Sequence, residues 1–151
     1  MCLVPRFGFG EPGNDLIETS NGQVRRSMYF FPDIIARAVA DSGLRAAVGM
    51  IVLEQPTVWA QSADEYLSKG LAVRDQFKGH RRVSTLFAPH APYSIADRTF
   101  DQIRVLADEL DTPIQMHVHE TAAELATSIG KYRCRPLQRL DTLGMVTSLL
   151  S

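Results

Sequence analysis

No apolar run in this sequence approaches the roughly 20 residues that a membrane-crossing helix needs, so no membrane partner is expected. The opening stretch MCLVPRFGFGEPGND carries Pro5 and three glycines where a secretory leader needs an unbroken apolar segment. Cysteine is scarce: Cys2 and Cys134 lie far apart and outside any CxxC, as in a reducing compartment. The cytoplasm is therefore the expected location. An excess of charge of one sign is also lacking. With 16 Lys+Arg against 17 Asp+Glu the net charge is −1, which gives nucleic acid no basic face to bind. GxGxxG, GxxxxGK[ST] and GxSxG are absent, which removes the dinucleotide, P-loop and serine-hydrolase readings. Neither cysteine has a neighbouring base that would make it a nucleophile.

What is present is an ordinary globular composition, 45% hydrophobic and 22% charged over 151 residues, enough for a real core. AAVGMIVLE (46–54) is a continuous apolar run, the pattern of a strand covered on both faces. SADEYLSKGLAVRDQF (62–77) opens with a Ser62/Glu65 capping box and places Tyr66, Gly70, Val73 and Phe77 on one helical face. The unit recurs as VSTLFAPH (83–90), a box-like SIAD (94–97), and a helix bearing Phe100, Ile103, Leu106, Ala107 and Leu110. It recurs again as TPIQMHV (112–118) and the capping box TAAE (121–124). Upstream, Pro32 and Asp33 can start a helix that ends at Gly43. SNGQVRRS (20–27) reads as turn or loop, and GMVTSLLS (144–151) as the start of a fourth strand. Strand, loop and capped helix, repeated, predict a parallel α/β sheet. Ligands in such sheets bind at the carboxyl ends of strands, where His90 and the His117–Glu120 cluster fall.

In QMHVHET (115–121) the two histidines sit at i and i+2, which on a strand lets both face one metal ion. At a strand's last residues the alternation often breaks, and then one alone faces the site. Glu120 follows where strand gives way to loop, placed to shuttle protons. Catalytic zinc needs about three protein ligands plus water, and the chain has 4 histidines: His80, His90, His117 and His119. His80, in the basic KGHRR, is expected in solvent. In APHAPYS (88–94) two prolines bracket His90. That turn reads either as a rigid connection with a hydrogen-bonded histidine or as a substrate contact with Tyr93 as wall or donor. Trp59, the only tryptophan, either lines a pocket or packs over the sheet.

MYFFPD (28–33), APHAPYS, LADELDTPIQMHVHET (106–121) and RPLQRLDTLG (135–144) together resemble the amidohydrolase superfamily. Within it they resemble the branch of 5'-methylthioadenosine/S-adenosylhomocysteine deaminases and triazine chlorohydrolases. The resemblance implies part of a (β/α)8 TIM-type barrel, three to four βα units over residues 28–144. It also implies a divalent metal, zinc or iron, and a heteroaromatic amine as substrate, hydrolysed with release of ammonia, or of chloride in some members. By the resemblance His117 binds the metal, Glu120 is catalytic, and His90 contacts substrate, with Tyr93 and Trp59 as further substrate-binding candidates. No ligand role passes to His119, since the family's two-ligand HxH belongs to its first barrel strand.

That first-strand pair has no counterpart here, and residues 1–27 and 145–151 do not match the family's motifs. The expectation is an internal barrel segment, from a truncated or frameshifted reading frame, with one of the family's metal ligands and little or no activity. Two other readings stand beside it. One is a non-catalytic remnant that acts only through self-association at exposed sheet edges or by docking to a partner. The other is a small independent metal site made by His90, His117, His119 and Glu120.

Overall fold

Apolar runs here become strands and capped amphipathic runs become helices. In a computed structural model, the described part of the chain comprises residues 31–147 and Leu150, preceded by the backbone of two short strands. Those two, β1 (Leu16–Glu18) and β2 (Val24–Arg26), pair antiparallel with Leu16 opposite Arg26. β2 corrects the expectation of loop across 20–27. Three residues are too few to show a period of two, although Asn21-Gly22 is a hairpin dipeptide in the sequence. Cys2 and residues 28–30 of MYFFPD lie outside the described residues.

The central ladder is parallel, as expected. β3 (Ala46–Val52) pairs with β4 (Val83–Pro89) in a register from Ala46 opposite Val83 to Val52 opposite Pro89. Three helices join the strands in order: α1 (Pro32–Ser42), α2 (Ala63–Phe77) and α3 (Asp97–Leu110). α1 begins at Pro32 and ends on Gly43 at φ 75°, where the absence of a Cβ makes the left-handed turn cheap. Val48 and Val83 pack with Ala36 of α1 and Val73 of α2, while Met50 and Phe87 join Tyr66, Phe100 and Ile103. Of the residues alternating to the other face, Ile51 and Leu86 are buried, whereas Ala47, Gly49, Ser84 and Ala88 are half-buried or exposed. The continuous apolar run in β3 therefore does not correspond to equal cover on both faces.

The third strand expected over 112–118 shortens to one bridge. Ile114 pairs with Phe87, whose N–H donates to Pro113 O (2.8 Å) while Gln115 N–H donates to Phe87 O (2.9 Å). Pro113 has no N–H to extend the ladder. Leu150 bridges Ile114 in the parallel sense, so the expected fourth strand is likewise present as a single bridge. The lateral order is β3, β4, Ile114, Leu150.

Two further helices follow the third strand position: α4 (Ala122–Tyr132) and α5 (Pro136–Thr142). Two of the three expected caps form: Ser62 Oγ accepts from Glu65 N–H (3.2 Å) and Thr121 Oγ1 from Glu124 N–H (3.1 Å). The third does not. α3 has Ala96 at its N-cap with no side-chain bond from its own segment, and Ser94 Oγ turns back to Ala91. Glu54, from the loop after β3, fills the gap: its Oε1 accepts from Ala96 N–H (2.9 Å) and Thr99 Oγ1–H (2.7 Å). A long-range cap of this kind leaves no local spacing to read. Among the described residues no helix is long and apolar enough to cross a membrane.

Candidate active site

β4 ends at Pro89, and the next residue, His90, donates its N–H to Val52 O (3.2 Å), fixing it at the carboxyl edge of the ladder. Pro92 opens the 3-10 turn Pro92–Ser94, which keeps this connection short and stiff. Ser94 Oγ spends its proton on Ala91 O (2.9 Å) and accepts from Ala91 N–H (3.1 Å), so its remaining lone pair meets His90 Nδ1 at 3.3 Å. That arrangement assigns the imidazole proton to Nδ1 and the lone pair to Nε2. Tyr93 stands edge-on to the His90 ring, with centroids 5.9 Å apart and planes at 85°.

The electrostatics tie the second strand position to the first. Burial pushes the His90 pKa down; the Glu120 carboxylate pulls it up, and His117 pushes it down. Tyr93 is raised, first by burial and then by Glu120 and Glu124. His90, Tyr93, His117 and Glu120 thus share one electrostatic neighbourhood, with His117 and Glu120 exposed and His90 half-buried.

His119 does not join them. Its φ of 62° breaks the strand alternation, and Nε2 accepts Leu137 N–H (3.3 Å) at the start of α5. Among the described residues no three His, Cys, Asp or Glu side chains are grouped to hold a metal ion. The independent site of His90, His117, His119 and Glu120 is therefore not formed, because the left-handed residue turns one of its donors away. His80 is exposed, its Nδ1 accepting from Arg82 N–H (3.3 Å) and Val83 N–H (3.1 Å). Trp59 is buried against Tyr66 at 5.7 Å, with the Lys69 ammonium 5.9 Å from the Trp59 ring centroid. Cys134 is a free, half-buried thiol.

Two side chains that sequence reasoning passed over support these loops. Arg139 of α5, 4% exposed, donates to Pro92 O, to Ile95 O (3.0 Å) and to Asp97 Oδ1 (2.5 Å), between the rings of Tyr132 (3.9 Å) and Phe100 (5.3 Å). Glu124 of α4, 5% exposed, accepts from both His119 N–H (3.2 Å) and Glu120 N–H (2.7 Å). Its capping-box spacing was the visible signal, but spacing does not reveal that the carboxylate reaches past the cap. A cavity of about 50 Å³ lies between Tyr93, Glu124 and Arg139, and an open groove of about 350 Å³ runs from Glu54 past Tyr93 to Lys131. Neither is lined by His90, His117 or Glu120, which lie on the open strand-end face beside them.

The sequence profile of the Amidohydrolase family matches residues 17–149. The chain belongs to the amidohydrolase family. The match is wider than the 28–144 over which the motifs lie, and it takes in part of each flank. A 5-methylthioadenosine/S-adenosylhomocysteine deaminase of Teredinibacter turnerae is 43% identical over 122 residues, covering 81% of this chain and 28% of the relative. The crystal structure of an adenosine deaminase from Xanthomonas campestris with bound zinc superposes with a TM-score of 0.79 at 46% identity, over 82% of this chain and 28% of that one. An atrazine chlorohydrolase from Arthrobacter aurescens shares the fold with a TM-score of 0.67 at 15% identity, over 76% of this chain and 27% of its own. The chain thus spans little more than a quarter of the length of these relatives.

Proposed function

We propose that this chain forms three to four βα units of a (β/α)8 barrel, chiefly residues 28–144, that acts on adenosine-type rings by hydrolytic deamination. The observation behind this is the shared electrostatic neighbourhood of His90, His117 and Glu120 at adjacent parallel strand ends. Residues 145–151 are read as a tail or truncated next strand, bridged to Ile114 at Leu150, and of residues 1–27 those from 17 onward lie within the family match. In this reading His90, through its open Nε2, and Tyr93 hold the ring, and Glu120 moves the proton between water and a ring nitrogen. Trp59 contributes from behind, as packing under the loop after β3. His117 offers one donor to a divalent metal. The described residues do not by themselves complete a metal site. The 151 residues by themselves then retain no metal and turn over little or no substrate.

A second reading, association with another copy, is favoured by the outer edge of β3, which has no partner strand among the described residues, and by the 78% exposure of Val58. One experiment separates the two. The labelled chain is titrated with 5'-methylthioadenosine while amide shifts and sedimentation are followed. Shifts at His90, Tyr93 and Glu120, with none at Trp59, are expected. An oligomer showing no shift at those residues would sink the ring-binding reading and leave the second.

A further inference from the structure

We propose that Glu124 is the positioning residue that aims Glu120, by holding the left-handed turn at His119 with both oxygens of its carboxylate. This deepens the functional reading above and rests on Glu120 having the role given there.

Glu124 occupies the third position of α4, where a capping-box acid ordinarily reaches back to the N–H of the cap residue. Here it reaches further. Oε1 accepts from His119 N–H at 3.2 Å and Oε2 from Glu120 N–H at 2.7 Å, while Thr121 supplies the cap to Glu124's own N–H at 3.1 Å. At α2 the corresponding Glu65 takes one loop amide, Gln61 N–H at 2.7 Å, and is otherwise paired with Lys69. Glu124 spans two consecutive amides across a residue at φ 62°, a left-handed conformation that non-glycine residues rarely adopt. Being 5% exposed, its carboxylate needs those donors, and it also benefits from the positive end of α4.

The consequence lies in direction. The turn sends His119 towards α5 and returns the chain so that Glu120 acts on His90 and Tyr93. If the two amide bonds are lost, His119 relaxes towards extended backbone, and the Glu120 side chain moves to the opposite face.

Amide hydrogen exchange on the full chain tests this in Glu124→Ala, Glu124→Gln and Thr121→Ala. In Glu124→Ala, exchange at His119 and Glu120 is expected to rise roughly tenfold or more, and 5'-methylthioadenosine no longer shifts the Glu120 amide. Glutamine retains one acceptor oxygen, so one of the two amides stays protected. Thr121→Ala weakens the same helix yet leaves both amides protected, which a merely structural role would not. Unchanged exchange in Glu124→Ala, or equal loss in Thr121→Ala, overturns the proposal. Exchange needs no ligand, so a wild-type chain that fails to bind the nucleoside sinks the functional reading alone.

Discussion

Arg139→Met is expected to lower unfolding stability by about 2–4 kcal/mol, the largest effect of any polar substitution considered in this chain. The guanidinium is 4% exposed and serves Pro92 O, Ile95 O and Asp97 at once. Methionine keeps an aliphatic stem but gives up the guanidinium stacking over Tyr132 and Phe100 together with the hydrogen bonds, so the loss reports both. Two carbonyls of the turn that follows His90 then lose a buried donor. Asp97 is 56% exposed on its side chain and rehydrates, which places the cost below that of stranding a buried charge. Urea unfolding monitored by circular dichroism checks the figure, and a loss under about 1 kcal/mol would show that the turn stands without α5.

Gly70→Val is expected to cost roughly 1–3 kcal/mol, whereas Gly70→Ala changes stability little. A Cβ built at Gly70 meets Met50 Cβ at 3.0 Å, Cγ at 3.5 Å and Sδ at 3.6 Å. The nearest atom, Met50 Cβ, moves only with β3, so α2 must give by a few tenths of an ångström for a methyl group, a cost offset by the about 1 kcal/mol of helix propensity that alanine returns. The branched carbons of valine cannot be absorbed so, and they wedge α2 from β3. Thermal unfolding of both variants is the check. Equal midpoints for alanine and valine would mean that α2 does not sit close on the sheet as described.

The sequence exposed those features whose cause is local. The helical face of Tyr66, Gly70 and Val73 packs on β3 as its spacing implies, and Ser62 and Thr121 cap their helices through bonds three residues long. The segment 112–118 looked like a strand because its apolar residues do, but Pro113 removes the N–H a ladder needs, leaving one bridge at Ile114. Ser94 looked like a cap because four residues fit the pattern, whereas the bond to Ala96 comes from Glu54, 42 positions away. The site divides in the same manner. His90 was legible as a residue just past a strand end, and the roles proposed for His117 and Glu120 come from the family motifs. Arg139 and Glu124, which hold the loops beneath them, act through folded contacts that no spacing encodes. His119 shows the limit most sharply: the i, i+2 pattern offered a pair of ligands, and a single φ of 62° withdrew one.

The central claim is that the His90 ring senses the charges of Glu120 and His117 from the neighbouring strand position. Titration of the His90 ring by NMR tests it most directly, in the wild type, Glu120→Gln and His117→Ala. Burial holds the His90 pKa below its ordinary value. Because the unfolded chain then binds the proton more readily, this half-buried ring costs stability as pH falls from the ordinary histidine range through its folded pKa, and costs nothing above that range. Removing the Glu120 charge is expected to lower the pKa further, and removing His117 to raise it. A His90 pKa that stays fixed in both variants would contradict the account, since the three residues would then not form one site.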